Sequence, residues 1–311
     1  MPNFSIRHVT RYRYSRAVGF GEHRLMVHPR ESHDQRTLAF SLAVDPVPNR
    51  LSWAEDASGN LVGLCGFEGR ATELTFTSDV EVEMDALDPF TLRIAPHAET
   101  VPFSYGAEET PDLSRFVERQ HADPDHALDR WVHGAVGWSD RARGRGLETW
   151  TFLTRLNDTI RRDFTYLRRD ERGIQAPVDT LRLRRGTCRD FAVLMCEAVR
   201  SLGIAARYVS GYLRVRGQDG PNRAAGATHA WLQAYLPGAG WIDFDPTSGT
   251  RGNAGLIRVA TVRDPASAIP LWGSFRGFSS DFLGMDVSVE VVERKGRQGV
   301  RAPAVTCVRS R

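Results

Sequence analysis

The amino-acid sequence predicts an α+β fold: an N-terminal antiparallel β-sandwich, followed by a helix that packs on a second antiparallel sheet. The first observation is that apolar residues recur in steps of two through much of residues 1–100. The second is that the apolar spacing becomes helical after residue 110 and returns to two after Leu202. A β domain followed by a mixed domain of helices and strands accounts for both changes.

The composition is typical of a soluble globular protein of two domains. The chain has 311 residues, of which 41% are hydrophobic and 25% are charged. The net charge of +3 is small and gives no reason to expect a nucleic-acid partner. Lys295 is the single lysine among 41 basic residues, a bias that we attribute to GC-rich codon usage rather than to function.

The sequence shows no pattern of export or of membrane insertion. Residues 1–8 contain no apolar segment and no cleavage site, and no apolar run approaches the length that spans a bilayer. The cysteines lack the close spacing of a disulfide framework or a zinc ribbon; they are Cys65, Cys188, Cys196 and Cys307. We therefore expect a cytoplasmic protein with reduced thiols and no membrane partner.

Three segments near the start of the chain predict the strands of the sandwich. Apolar residues occupy alternate positions in segments 4–14, 38–44 and 74–84. Turn-forming residues at 45–49 and 56–60 lie between these runs. Alternation in steps of two places one face of each strand in a core and the other in water, as in an antiparallel sandwich.

A proline-rich stretch divides the chain. Three prolines lie between residues 87 and 107 without any long apolar period. We therefore predict an N-terminal β-sandwich domain at 1–100 and a second domain at 101–311, with its core at 147–262.

The second domain is predicted to contain four helices and then a set of strands. One short helix begins near Pro111, another begins near Asp123, a third carries Leu153, Leu156 and Ile160, and a fourth runs from Cys188 to Leu202. The predicted strands are 206–213, 229–236, 241–244, 256–262 and 285–292. Residues 216–227 are rich in Gly, Asn, Asp and Pro, which predicts an exposed loop that joins the first two of these strands. This loop either controls substrate access or is a plain surface connection.

Three residues in this domain are the parts of an acyl-transfer site. Cys188 begins the fourth helix, where unpaired backbone N–H groups and the helix dipole favour a thiolate. His229 begins one strand and Asp245 ends the next, so a hairpin can place the imidazole and the carboxylate side by side. Such a site attacks a carbonyl carbon through sulfur, while the imidazole moves protons and the carboxylate orients it.

Several neighbours have competing interpretations. Asp243 lies on the same strand face as Asp245, so parity alone does not choose the orienting acid. Cys196 lies two turns further along the helix and is interpreted as a buried apolar residue. The candidate substrate-binding residues are Tyr166, Tyr208 and Trp231; each of them could equally be a packed aromatic, and Trp231 could shield the imidazole. Asp190 is expected to favour the first turn of the helix.

Four motifs in this order resemble the core of the transglutaminase-like superfamily in its bacterial branch. They are Gly-Thr-Cys-Arg-Asp-Phe-Ala at 186–192, Gly-Ile-Ala-Ala-Arg-Tyr-Val-Ser-Gly-Tyr at 203–212, Thr-His-Ala-Trp at 228–231 and Phe-Asp-Pro-Thr at 244–247. The N-terminal part is similar to the β domain that precedes this core, at His8, Thr10, Tyr12, Tyr14, at 28–30 and at 59–60. The resemblance implies a papain-like, transglutaminase-like catalytic core with Cys188, His229 and Asp245 as its triad. Family members act as transglutaminases, as cysteine peptidases or as amidases, and some are inactive.

Two hypotheses follow from these observations. The first is a cysteine enzyme that acts on the amide bonds of a peptide or protein substrate, with hydrolysis slightly favoured over amine transfer because no feature marks an amine site. The second is a catalytically silent interaction module that retains the fold. We expect no metal ion, because the Cys and His residues lack ligand spacing, and no nucleotide cofactor, because no phosphate-binding glycine motif occurs. The sequence leaves the oligomeric state open.

Overall fold

The computed structural model describes residues 2–85, 91–135, 147–167, 173–214 and 226–294, with the backbone alone at 226 and 227. The N-terminal strands are β1 (Asn3–Leu25), β2 (Gln35–Asp45), β3 (Arg50–Glu55), β4 (Leu61–Gly66) and β5 (Ala71–Met84). The helices are α1 (Thr110–Val117), α2 (Ala127–Ala135), α3 (Thr149–Asp163), α4 (Pro177–Leu183) and α5 (Cys188–Arg200). The later strands are β6 (Thr100–Val101), β7 (Leu147–Glu148), β8 (Thr165–Tyr166), β9 (Arg185–Gly186), β10 (Ala206–Arg214), β11 (Gly226–Leu236), β12 (Gly240–Asp245), β13 (Thr250–Arg251), β14 (Leu256–Val262), β15 (Leu271–Arg276) and β16 (Phe282–Arg294).

The long strand β1 organises a curled antiparallel sheet. Its first half pairs with β5 and β16, and its second half pairs with β4 and β15. β2 extends the sheet beside β5, and β3 extends it beside β4. Apolar side chains from both halves form one core, which includes Phe20, Leu25, Leu74 and Phe76. The predicted antiparallel β architecture is confirmed, and the sharing of β1 explains why the two layers form one continuous sheet.

The alternation that predicts these strands is visible in their burial. In β5 every second side chain from Leu74 to Met84 is buried. The intervening residues face outward, where Asp79 and Glu73 form exposed ion pairs with Arg7 and Arg11. Exposed pairs of this kind contribute little to stability, so the sheet depends on its apolar face.

The second sheet carries the strands after α5. Its order is β13-β12-β11-β10-β14, and every neighbouring pair is antiparallel. The main core of this part lies between the sheet and helices α3 and α5, with Leu156, Leu194, Leu232 and Phe244 fully buried. All four predicted helices are present, and the α+β class with a helix on an antiparallel sheet is confirmed. Helix α4 has seven residues and ends at Arg184 in the left-handed region (φ 51°), too short to produce a helical period in the sequence.

Side-chain amides of the N-terminal part hold the free edge of the second sheet. Asn60 accepts from the N–H of Thr261 (2.9 Å) and donates to its carbonyl (3.1 Å). Gln35 does the same at Arg258, with both distances at 2.8 Å. Each amide thus replaces a peptide group of a neighbouring strand and satisfies buried backbone groups of β14.

The last strands of the chain return to the first sheet. Residues 271–294 pair with β1, although they follow the second sheet in sequence. The first sheet therefore contains strands from both ends of the described chain. The division into domains at residue 100, with a core at 147–262, stays a prediction. Within the described ranges, no helix is long and apolar enough to cross a membrane.

Candidate active site

A capped helix end positions Cys188. Thr187 is the N-cap of α5, and Asp190 completes a capping box by accepting from the Thr187 N–H at 2.8 Å. The other oxygen of Asp190 accepts from the N–H of Gln175 at 2.7 Å, which fixes the preceding segment over the helix end. Asp190 is fully buried and structural in these contacts. Cys188 is the first residue of the helix, and its thiol is partly exposed.

The hairpin of β11 and β12 brings His229 and Asp245 together. The register pairs Leu232 with Phe244, so Asp245 lies one step beyond this pair, diagonally across from His229. His229 Nε2 donates to Asp245 Oδ2 at 2.9 Å. The side chain of Cys188 is the second hydrogen-bonding partner of the ring, and like Asp245 it raises the pKa of His229. The three residues that the sequence singles out therefore form one chain of contacts.

Charges in this chain favour an ion pair. Burial lowers the pKa of His229, but hydrogen bonds to Asp245 and Cys188 outweigh it and raise the pKa to about 10. Burial acts to raise the pKa of Asp245, but its hydrogen bonds outweigh burial and lower that pKa below its ordinary value. The largest of these lowering effects is the hydrogen bond from His229. An imidazolium held between a carboxylate and a sulfur is the arrangement that stabilises a thiolate.

Asp245 has further donors that sequence analysis did not find. The hydroxyl of Ser248 donates to the same oxygen that accepts from His229, and the N–H of Thr247 donates to the other oxygen at 2.9 Å. The N–H of Thr250 in turn donates to the Ser248 hydroxyl at 3.2 Å. The only signal in the sequence is the placing of Ser248 three residues after Asp245, within a turn.

Asp243, the competing acid, has different partners. It accepts from the indole Nε1 of Trp231 at 2.6 Å and from Arg258 at 2.8 Å. Sequence analysis did not single out Arg258, although an arginine inside an otherwise apolar strand is a signal of a buried ion pair. Of the two acids on this face of β12, Asp245 is the one bonded to His229.

Trp231, a candidate substrate-binding residue, lies beside His229 inside the core. Its side chain is fully buried, and its ring stacks beside His229 with centroids 6.1 Å apart and planes 24° apart. The ring packs against Gly211, where a Cβ would lie 2.7 Å from the indole and 2.0 Å from the carbonyl oxygen of Ile257. A fully buried ring in this position packs beside the imidazole, and its contact with a substrate stays a prediction.

The two candidate tyrosines differ in their exposure. Tyr208 is buried, its burial raises the pKa of its hydroxyl, and the neighbouring Cys188 adds to that rise. Tyr166 is 55% exposed and pairs with Gly186, two residues before Cys188. The contact of either tyrosine with a substrate stays a prediction.

The remaining cysteines differ from Cys188 in their surroundings. Cys65 and Cys196 are buried, and burial raises the pKa of Cys196 to about 12. Cys307 and residues 216–225 of the predicted access loop lie outside the described residues, while 226 and 227 begin β11. In the part of the chain that the structure describes, no three His, Cys, Asp or Glu side chains are grouped to hold a metal ion.

Comparison with known proteins bears on the class of this site. Residues 4–83 match the bacterial transglutaminase-like N-terminal region, and residues 137–246 match the transglutaminase-like superfamily. An uncharacterized protein of Mycobacterium tuberculosis is 31% identical over 312 residues, which is 94% of this chain and 93% of the relative. The crystal structure of a candidate cysteine protease from Cytophaga hutchinsonii shares the fold, with a TM-score of 0.69 and 23% identity over 96% of this chain and 93% of the other.

A shorter match involves a protein with a stated activity. The protein-glutamine gamma-glutamyltransferase of Pseudomonas aeruginosa is 36% identical over 72 residues, which is 21% of this chain and 10% of that enzyme. The two family matches and the structural neighbour agree with the fold. The chain belongs to the transglutaminase-like superfamily, in the bacterial form in which an N-terminal β region precedes the core.

Proposed function

We propose that the protein is a cysteine acyl-transfer enzyme that acts on amide bonds of peptides or proteins, with Cys188, His229 and Asp245 as its catalytic residues. The observation that carries this proposal is the unbroken chain of hydrogen bonds from the thiol through the imidazole to a buried carboxylate, at a helix N-terminus. Family membership supports an enzyme of this class.

In the first half of the reaction, the Cys188 thiolate attacks the amide carbon and a C–S bond forms. The carbonyl oxygen becomes an oxyanion, for which the backbone N–H groups of Cys188 and Arg189 are candidate donors at the start of α5, since the N–H of Asp190 donates to the cap hydroxyl of Thr187. Tyr208, buried beside Cys188, is a further candidate donor. His229 then gives its proton to the leaving nitrogen, the C–N bond breaks, and a thioester remains on Cys188.

In the second half, His229 removes a proton from an incoming nucleophile that attacks the thioester. Water gives an acid, and a primary amine gives a substituted amide. We favour hydrolysis, because the described residues present no feature that marks an amine site. The short match to a glutamyltransferase is the observation that favours amine transfer, and it concerns about a fifth of this chain.

The experiment that separates these outcomes adds methylamine to a reaction with a glutamine-containing peptide. If the site admits amines, the product shifts from acid to methylamide while the release of ammonia continues. If it does not, acid alone forms at every amine concentration. Mass spectrometry of the product and of an acyl-enzyme on Cys188 reports both steps, with Cys188→Ala as the control. Absence of any acyl-enzyme across a panel of amide and peptide probes would favour the catalytically silent module instead.

We further propose the cytoplasm as the location, on the composition and the reduced cysteines alone. Fractionation of cells that express the protein from its own start site tests this proposal. Recovery from the periplasm would contradict it.

A further inference from the structure

A continuous line of contacts joins the N-terminal sheet to His229. The ring of His229 stacks beside that of Trp231, whose indole N–H donates to Asp243 at 2.6 Å. Arg258 Nη1 donates to the second oxygen of Asp243 at 2.8 Å. Arg258 Nη2 donates to Asp34, which lies between β1 and β2. Four residues thus connect a segment of the first sheet with the imidazole of the candidate triad: Asp34, Arg258, Asp243 and Trp231.

Burial makes this line of contacts rigid. Asp34, Asp243 and Arg258 are exposed by 7%, 3% and 4%. A charge at such a site needs its partners, because loss of one partner leaves the other charge buried and unpaired. The guanidinium with its two carboxylates therefore has one arrangement that satisfies all three groups, and Asp243 has a fixed position in it.

The segment at 30–35 holds Arg258 from the side of the first sheet. Ser32 donates to Asp34 at 2.6 Å and accepts from Arg258 Nη2 at 2.9 Å. Asn253 donates to the other oxygen of Asp34 at 2.8 Å. The carbonyl of Arg258 accepts from the N–H of Arg30 at 2.9 Å. Both the backbone and the side chain of Arg258 are thus set by this segment.

We propose that Asp34 and Arg258 are positioning residues for His229, and that they act through Asp243 and the indole of Trp231. The imidazole must present one nitrogen to Cys188 and the other to Asp245. Rotation of the ring about the Cβ–Cγ bond of His229 would break both contacts. The stacked indole limits that rotation, and Asp243 holds the indole. This role rests on the proposed function, since it concerns the same imidazole, and it makes the N-terminal sheet a part of the active site.

The test measures the rate at which iodoacetamide alkylates Cys188 across a range of pH, with the site of labelling read by mass spectrometry. Asp34→Asn keeps the shape of the side chain and removes its charge. Trp231→Phe keeps a ring beside His229 and removes the indole N–H that donates a hydrogen bond to Asp243. Each change should slow alkylation below pH 7 by about tenfold or more and move the pH profile upward, because displaced groups near a reacting atom cost factors of this size.

Coupling between the two changes identifies the route. If Asp34 acts through the indole, the double variant should be no slower than the slower single variant. If the double variant slows alkylation by the product of the two single effects, the proposed route is wrong. It is also wrong if the pH profile of alkylation in Asp34→Asn matches that of the wild type. If Asp34→Asn does not fold, Ser32→Ala makes the same test, since it removes one contact to Arg258 and one to Asp34.

Two control variants separate positioning from general destabilisation. Glu197→Gln breaks a second buried pair, Glu197–Arg200, at the far end of α5. Asp79→Asn breaks an exposed pair on the outer face of the first sheet. The first should lower the melting temperature without moving the pH profile, and the second should change neither. A wild-type Cys188 that reacts no faster than an ordinary thiol would contradict the proposed function itself, whereas a fast Cys188 that Asp34→Asn leaves unchanged would contradict only the positioning role.

Discussion

Asp243 and Asp245 occupy the same face of β12 and yet have different hydrogen-bond partners. Sequence analysis narrowed the orienting acid to these two, and strand alternation gave no means to separate them. The register of β11 against β12 brings Asp245 to the imidazole, and the indole with Arg258 takes Asp243. The register depends on the geometry of the turn between β11 and β12, which alternation in steps of two does not determine.

At the residue scale, the first prediction concerns activity. Cys188→Ala should abolish turnover on any substrate that forms an acyl-enzyme and leave the fold intact, and His229→Ala should cost about as much, because the two act as a unit. Asp245→Asn should reduce kcat/KM by roughly a hundredfold or more, since the imidazole loses its orienting acceptor. Steady-state kinetics with circular dichroism as the folding control check these outcomes. A silent Asp245→Asn beside a damaging Asp243→Asn would contradict the assignment.

The second prediction at this scale concerns the stability of the site against pH. The folded-state pKa of His229 is about 10, above its ordinary 6.5, so its stabilising effect is complete below pH 6.5 and disappears as pH rises through 10. The pKa of Asp245 is below its ordinary 3.8, so its effect is lost as pH falls beneath that value. The free energy of unfolding of the wild type should therefore exceed that of Asp245→Asn at pH 7, by about 1–3 kcal/mol, and the difference should shrink at both extremes. Urea unfolding of both proteins measures this; a difference that grows above pH 10 would contradict it.

At the scale of elements, the sequence predicted those with a strong period of their own. Helix α5 has a buried apolar face, and it begins at Cys188, where the apolar period predicts it. The sequence did not predict the shortest elements, which are the two-residue strands β8 and β9 and the helix α4. An element of so few residues is too short to show a hydrophobic period, and it forms only through contacts with neighbouring elements. β16 was predicted as a strand, but its pairing with β1, nearly 300 residues away, has no local signal.

The prediction at this scale concerns the cap of α5. Thr187→Ala removes a cap hydroxyl and should lower the free energy of unfolding by about 1 kcal/mol, as is usual for the loss of an N-cap. It should also slow alkylation of Cys188, because the thiol is the next residue and depends on the position of the helix end. Ser201→Ala deletes a hydroxyl at the other end of the helix, where Ser201 donates to the carbonyl of Ala198, and serves as the matched control. Equal rates for both variants would show that the cap does not position the thiol.

At the scale of the whole molecule, the two sheets share an apolar cluster. Side chains of β1 and β5, such as Ile6 and Val80, lie in the same cluster as Ala192 of α5, Tyr212 of β10 and Ile257 of β14. Tyr212 also forms a buried hydrogen bond with the ring of His8 at 3.0 Å. A shared core of this kind couples the unfolding of its parts, which two separate domains joined by a linker would not do.

We therefore predict a single calorimetric transition, with the van't Hoff enthalpy equal to the measured enthalpy. Asn60→Ala should move that transition to lower temperature without splitting it, because the N–H and the carbonyl of Thr261 lose their partner at a cost of about 1–3 kcal/mol for a buried group. Asn49→Ala, which removes an exposed contact with Glu68, is the matched control and should have little effect. Two resolved transitions in the wild type would contradict the shared core.

The central claim is that Cys188 is held as an activated thiol by His229 and Asp245, and its most direct test is competitive alkylation of the four cysteines. Iodoacetamide at about pH 6.5 labels thiolates, which ordinary thiols scarcely form at that pH. Peptide mass spectrometry gives the rate for each site in the folded protein. We predict that Cys188 is labelled well before Cys65, Cys196 and Cys307, and that His229→Ala removes this advantage. Labelling of Cys188 no faster than the other three would contradict the account.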